Sequence, residues 1–219
     1  MVCVKTPVAP TKFEDNPYQP EWFERDYLVT PEGTRECPKH HCKRTFQVSF
    51  PFIRRMRTAV DIGCRVGEYS RYLQHYFAWT YAFDPNLWTG FATNVDLSKV
   101  THFNCALGDE PGTIDMYGGT HQHVDGNKKK AKRVPVHRLD DFELEDVDYI
   151  KIDVEGFERK VLMGAAKTLE KYRPLIVLEQ NDVRLPDEEP LAAKKWLEER
   201  GYRHVATCPR GWDYIMVCD

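Results

Sequence analysis

Apolar residues recur along this chain with two periods, and the places where the period changes mark its elements. The run "TAVDI" (58–62) is a short β-branched strand; after the glycines that follow, Tyr69, Tyr72, Leu73, Tyr76 and Phe77 fall at i, i+3, i+4, i+7 and i+8, one apolar face of a helix. The alternation then repeats. "TYAFD" predicts a second strand, "NLWTGFATNVDL" a helix and "VTHFNCAL" a third strand. Past an insertion holding "TIDMYGG" and "RVPVHRLDDF", "VDYIKIDV" predicts a fourth strand, and Phe157, Val161, Leu162, Ala165 and Leu169 mark one further helix. "PLIVLEQ" is a fifth strand, "PLAAKKWLEERG" a helix closed by glycine, and "YRHVATCPRGWDYIMVCD" a hairpin turning at Pro209 to Gly211. Strands alternating with helices predict an α/β architecture, an open, doubly wound, mainly parallel sheet that ends here in an antiparallel hairpin.

Two segments break the pattern. Residues 1–57 carry many prolines and turn formers and predict a loop-rich extension with one short helix, leaving 58–219 as the main domain. The aromatic residues Tyr18, Trp22, Phe23 and Tyr27 in that extension read as packing contacts before they read as a stacking surface for a sugar. The second segment, "GGTHQHVDGNKKKAKRV" (118–134), is polar throughout and has the composition of a mobile loop.

Composition narrows the class only modestly. With 219 residues, 42% of them hydrophobic, the chain can bury a substantial core, and a formal net charge of -3 gives no global attraction to nucleic acid or anionic membrane. No apolar stretch nears the roughly 20 residues that span a bilayer, and the first residues lack the apolar region of a secretory signal, so a cytoplasmic location is expected. Seven scattered cysteines fit reduced thiols better than a disulfide framework.

The chemistry concentrates at strand ends. Doubly wound sheets bind ligands outside the carboxyl ends of their strands, where the strand order reverses. At the first such end stands "DIGCRVG", an acid followed by Gly63 and Gly67, which permit tight turning and close approach. It departs from the G-x-G-x-x-G pattern of dinucleotide sites, and no lysine and hydroxyl pair follows as a phosphate loop requires. An acid before the first glycine, Asp61, suits a ligand with a cationic amino group, while Asp84, closing the next strand, stands where a ribose-binding carboxylate is expected. Amine and ribose together suggest S-adenosylmethionine.

The stretches "VDIGCRVGEYS", "YAFDPN", "NCALGDEPG", "VPVHRLDDF", "DYIKIDVEGFE" and "PLIVLEQN" resemble, in order and spacing, the FkbM-type methyltransferases, many of which methylate hydroxyl groups. The resemblance covers roughly 58–181, and "KIDVEGFE" is its most specific part. It implies a seven-stranded Rossmann-like methyltransferase sheet and S-adenosylmethionine as cofactor. It further implies that Asp61, Gly63, Cys64, Arg65 and Gly67 hold the amino-acid end of that cofactor, that Asp84 with Pro85 and Asn86 takes the ribose, and that Ala106 and Leu107 line the adenine pocket. Arg65 is a departure, standing where the family usually has asparagine.

Methyl transfer to a hydroxyl requires that the acceptor lose its proton, so a base near the reacting methyl is needed. Strand alternation puts Lys151, Asp153 and Glu155 toward one side of the fourth strand and its exit, and Glu179 ends the neighbouring fifth. Asp153 is the leading base or positioning residue and also adjoins the cofactor, Glu155 and Glu179 rank next, and Lys151 tunes them. Three alternatives stand beside this reading. The carboxylates could hold a divalent metal ion, which is not favoured. "CPKHHC" (37–42) offers zinc ligands without a second pair, and His121, His123 and His137 are lone histidines of low catalytic weight. The basic run Lys128 to Arg133 could hold a phosphorylated sugar or a nucleic-acid backbone. The expected acceptor is a small or glycosidic molecule; nucleic-acid methylation and cofactor binding without turnover are the competing functions, and oligomeric state is open.

Overall fold

A computed structural model describes residues 28–31, 33–36, 40–116, 131–181 and 189–219. The described chain enters through a short ribbon, β1 (Leu28–Val29) and β2 (Arg35–Glu36), into helix α1 (His40–Ser49). Then follow β3 (Thr58–Ile62), α2 (Ser70–Tyr76), β4 (Trp79–Phe83), α3 (Phe91–Asn94), β5 (Val100–Phe103), β6 (Ala106–Leu107), β7 (Gly112–Met116) and β8 (Lys132–His137). The second half contributes β9 (Val147–Ile152), α4 (Glu158–Met163), α5 (Ala166–Tyr172), β10 (Leu175–Glu179), α6 (Ala192–Glu198), β11 (Tyr202–Thr207) and β12 (Asp213–Cys218).

Seven of these strands form the main sheet, in the order β11-β12-β10-β9-β3-β4-β5. The run from β10 to β5 is parallel throughout, while β12 lies antiparallel to both β10 and β11. The chain winds outward from β3 to β5, then returns to place β9 on the other flank of β3. The connections leaving β3 and β9 therefore run to opposite flanks, toward β4 and β10, and the reversal marks where a ligand crevice is expected.

Alternation along the strands sends side chains into two cores. Val60, Ile62, Ile150, Ile152, Ile176 and Leu178 pack under α4, α5 and α6. Ala59, Tyr149, Val177 and Ile215 face α1 and α2. On that side the fully buried Phe46 of α1 sits among Tyr69, Tyr72, Tyr76 and Tyr149, with ring centroids 5.1–6.3 Å away. An aromatic side chain buried this completely contributes on the order of 3 kcal/mol, so α1 packs into the body of the domain.

Three predicted elements are shorter than expected or divided. The helix over 86–97 reduces to the single turn α3, because Asn86 N–H and the Trp88 indole both donate to Asp84 Oδ1, at 2.8 and 3.0 Å, wrapping the chain around that carboxylate. The third strand divides into β5, in the main sheet, and β6, which joins β8 and β7 in a small three-stranded sheet. The helix from Phe157 to Leu169 breaks at Gly164: a Cβ there would lie 1.9 Å from the Gly108 carbonyl oxygen, and the Asp140 carboxylate accepts the N–H groups of Lys167 and Thr168 at 3.0 and 2.9 Å to open α5 afresh. Much of "VPVHRLDDF" thus serves the fold. Leu139 is fully buried, Asp140 caps α5, Asp141 pairs with Arg138, and Phe142 packs edge-on to Phe83 at 4.9 Å.

Candidate active site

The turn after β3 is built for close approach. Gly63 has φ +83°, and a Cβ on it would lie 1.8 Å from the Asp153 carbonyl oxygen, so β9 can exit against this loop only because residue 63 lacks a side chain. The N–H groups of Gly63 and Cys64 both donate to the Phe83 carbonyl, at 2.9 and 3.1 Å, tying the loop to the end of β4. Next to them Arg65 adopts φ +48° and donates its N–H to Asp84 Oδ2 at 3.0 Å. Asp84 is 7% exposed and accepts bonds from Arg65, Asn86 and Trp88, so it organises the two loops that flank it. Burial pushes its carboxyl above the usual range, against the lowering effect of those donors.

Beside this loop the sheet carries a row of charges. Strand alternation places Asp61, Lys151, Glu179 and Asp213 on the face that α1 and α2 cover; Asp61 lies opposite Lys151, and Glu179 opposite Asp213, in the ladder register. Lys151 is 4% exposed, and its Nζ lies 3.3 Å from Asp153 Oδ2, 3.9 Å from Glu179 Oε2 and 3.9 Å from Asp213 Oδ1. It also sits 5.7 Å over the ring of Tyr69. Burial alone would lower the pKa of this lysine; Asp153, Asp213, Glu179 and Asp61 together raise it, so it stays an ammonium. The carboxylates are tethered in turn. Thr45 of α1 donates to Asp213 Oδ2 at 2.9 Å, and Ser70 of α2 donates to Asp61 Oδ2 at 2.5 Å.

Glu179 differs from its neighbours. Burial and the adjacent Asp153 carboxylate, to which it is hydrogen-bonded, push its pKa up to about 8, with Lys151 pulling the other way. Glu179 therefore favours its protonated form beside the Asp153 carboxyl group.

The exit loop of β9 is held in a conformation most residues avoid. Glu155 has φ +55° and Gly156 φ +98°, and the loop is fixed by Glu158, whose Oε1 accepts the N–H groups of Val154 and Gly156 at 3.3 and 2.9 Å. Burial raises Glu158 to about 7. Glu155 is hydrogen-bonded to Asn181, and burial raises its pKa too.

These elements surround a cleft of about 760 Å³. Of the residues predicted to hold cofactor or do chemistry, Gly63, Cys64, Arg65, Asp84, Pro85, Asn86, Ala106, Leu107, Asp153, Glu155 and Glu179 line it. Asp61, Gly67 and Lys151 do not. Asp61 is 1% exposed and engaged by Ser70, while Gly67 makes room for Val95, whose methyl would lie 2.6 Å from an added Cβ.

The sequence did not single out several residues. Asp213 precedes Ile215 and Val217 at the strand period, and that alternation was its available signal. Glu158, an acid in the first turn of α4, was equally visible in principle. Trp88, Glu68 and Tyr69 on the cleft wall had no comparable signal as ligand contacts. His137 is exposed and lies off the wall, packing edge-on to Phe142 at 5.9 Å. Tyr18, Trp22, Phe23, Tyr27, Cys37, His121, His123 and Lys128 to Lys130 lie outside the described residues. Among the described residues, no group of three His, Cys, Asp or Glu side chains is arranged to hold a metal ion; the ammonium of Lys151 occupies the space between the carboxylates instead. No helix among them is long and apolar enough to cross a membrane.

Among solved structures, the chain is similar to a methyltransferase FkbM from Methylobacillus flagellatus KT, with a TM-score of 0.53 and 18% identity over 82% of this chain and 49% of that one. It thus spans about half the length of that relative. It is also similar to a precorrin-6y C5,15-methyltransferase from Geobacter metallireducens GS-15 (TM-score 0.43, 16% identity, 74% of this chain and 79% of that one). An rRNA methylase from Streptococcus thermophilus aligns at a TM-score of 0.43 and 9% identity over 75% of this chain and 88% of that one. Among curated proteins, none matches at a significant level. The family model of the methyltransferase FkbM domain matches residues 61–204, a span that runs from the glycine loop through the small sheet to the terminal hairpin. The chain belongs to the FkbM methyltransferase family.

Proposed function

We propose that the protein transfers a methyl group from S-adenosylmethionine to a hydroxyl of a small or glycosidic acceptor. The observation that carries this reading is the Asp153 and Glu179 pair on the cleft wall, anchored from behind by Lys151 at 3.3 and 3.9 Å. A positioned base is what a hydroxyl acceptor requires and what a pure binding module does not.

The cleft fits the cofactor by size and by chemistry. Its volume lies within the range of small-molecule sites, and it is polar toward Asp84 and apolar around Phe83, Leu107, Ile114 and Met116. Asp84 would take the ribose hydroxyls, the turn at Gly63 and Cys64 would receive the amino-acid end, and Ala106 and Leu107 would border the adenine. When bound, the cofactor supplies a methyl group already activated by its sulfonium. The chain's own work is then to orient the acceptor and manage a proton. Asp153 accepts the hydroxyl proton during attack; Lys151 holds that carboxylate in place, and Glu179 is hydrogen-bonded to it. The Glu155 loop, fixed by Glu158, closes the wall beside them.

The test is binding followed by turnover. S-adenosylmethionine and its demethylated product should raise the melting temperature, and nicotinamide dinucleotides should not. A mass-spectrometric screen of hydroxylated acceptors should then show a methyl-sized gain. Equal stabilisation by NAD would overturn the cofactor reading, and methylation confined to amines or nucleic acid would overturn the acceptor reading.

A further inference from the structure

Five carboxylates and two cations line the cleft, and nearly all have a partner within the protein. Arg65 pairs with Glu68 at 3.1 Å, Asp153 pairs with Lys151, Glu155 is hydrogen-bonded to Asn181, and Asp84 is bound by three donors. Glu179 is hydrogen-bonded to Asp153. That leaves Arg210. Among the described residues no carboxylate pairs with it; its guanidinium lies 4.5 Å over the ring of Trp212, itself 42% exposed.

The position of Arg210 is fixed by its turn. Between β11 and β12, Cys208 N–H donates to the Asp213 carbonyl at 3.0 Å and Gly211 N–H to the Cys208 carbonyl at 2.8 Å, with Gly211 at φ +82°. Gln180 N–H, one residue beyond Glu179, donates to the Trp212 carbonyl at 2.8 Å. The turn is thereby pinned to the carboxyl end of β10, on the Glu179 side of the cleft and across the sheet from the Asp84 loop on β4. A guanidinium held over an indole face can still present N–H groups to a ligand, and that fork matches a carboxylate or phosphate.

We propose that Arg210 on its Trp212 platform selects an acceptor bearing an anionic group, a carboxylate or a phosphate, close to the hydroxyl that is methylated. This rests on the methyl-transfer reading above and narrows its acceptor to hydroxylated acids or phosphorylated sugars. An anionic acceptor would balance the charge that no carboxylate among the described residues pairs with, while the acids around Lys151 are already compensated.

The test uses the full chain loaded with the demethylated cofactor, which cannot react. Saturation-transfer NMR would compare methyl β-glucoside, methyl β-glucuronide and glucose 6-phosphate as probes, the last two separating carboxylate from phosphate. At least one anionic probe should bind roughly tenfold or more tightly than the neutral glycoside. Arg210→Ala should erase that preference, Arg210→Lys should keep part of it, and cofactor affinity should be unchanged in both. Absence of binding by both anionic probes, equal binding of all three, or a preference that survives Arg210→Ala would overturn the proposal. So would an Arg210→Ala variant that loses cofactor affinity, since the arginine would then hold the cofactor's own carboxylate. Failure of the unsubstituted protein to bind the demethylated cofactor would count against the methyl-transfer reading instead, so the two failures are distinguishable.

Discussion

Lys151 stands directly opposite Asp61 in the β3–β9 ladder, and both side chains are at most 4% exposed. One ammonium thereby serves acids from four strands, with Asp153, Glu179 and Asp213 completing the set. Buried ion pairs add little stability over apolar packing, but removing one partner strands the others. Lys151→Met should therefore cost roughly 3–5 kcal/mol. The loss should shrink as pH falls, because the remaining carboxylates can neutralise themselves by taking up protons. Urea unfolding at pH 5 and pH 8 checks both claims; an identical loss at the two pH values would mean that Lys151 acts only through packing.

Glu179 should give folding a pH dependence of the opposite kind to an ordinary surface acid. Its folded pKa, about 8, lies above its ordinary value of 4.5, so the native state binds the extra proton between those limits. Its contribution to stability is full below the ordinary value and is lost as pH rises through about 8. Asp61 and Glu158, raised to about 6 and about 7, act in the same direction. Glu179→Gln should therefore flatten the fall in unfolding free energy between pH 5 and 8 without abolishing it. Denaturant titrations of both proteins across that range decide the matter, and parallel curves would remove Glu179 as the titrating group.

Arg65 occupies the left-handed region at φ +48°, where asparagine is tolerated and most other side chains are strained by about 1–2 kcal/mol. An asparagine at this position would thus relieve backbone strain. Arg65→Asn should raise unfolding stability by up to about 1 kcal/mol, the gain being reduced by loss of the partly exposed pair with Glu68. A lowered denaturation midpoint would show that the arginine side chain outweighs its backbone strain.

The alternation of strands and helices and the acids closing the first two strands were legible because each is written in local period and position. Asp61 illustrates the limit. Its place after an apolar run identifies a strand end, yet whether the carboxylate points at a ligand or at Ser70 depends on where α2 docks, which no local pattern encodes. Asp213 escaped notice for a related reason: it reaches Lys151 only because β12 inserts antiparallel beside β10, a pairing between residues far apart in the chain. The single predicted helix after Phe157 failed at Gly164 because its neighbour is the carbonyl of Gly108, again a long-range contact.

Asp84 has two duties, and its removal should show both. Asp84→Ala should weaken binding of the demethylated cofactor by about 1.5–3 kcal/mol, as for loss of a hydrogen bond to a charged group. The same change orphans the donors of Arg65, Asn86 and Trp88, so stability should fall as well. Asp84→Asn, which keeps an acceptor for part of that set, should lose less stability than affinity. Calorimetry of both variants with the demethylated cofactor, alongside thermal unfolding, separates the duties; unchanged affinity in a folded variant would move the ribose site elsewhere.

The decisive prediction concerns which carboxyl takes the acceptor's proton. Asp153 and Glu179 both line the cleft, but Asp153 has the nearer ammonium, at 3.3 Å against 3.9 Å, and Glu179 is the one pushed toward its protonated form. The nearer ammonium favours the ionised, proton-accepting form of Asp153, so the geometry favours Asp153 as the base. Asparagine preserves its shape and removes its basicity. Asp153→Asn should keep cofactor affinity and slow single-turnover methyl transfer by roughly 10²–10⁴-fold. Glu179→Gln should be milder, since an amide can still donate toward Asp153, and its main effect should be a displaced pH–rate profile. Rapid-quench measurements of both variants at saturating acceptor test the assignment. A near-normal rate for Asp153→Asn with an inactive Glu179→Gln would place the base on β10.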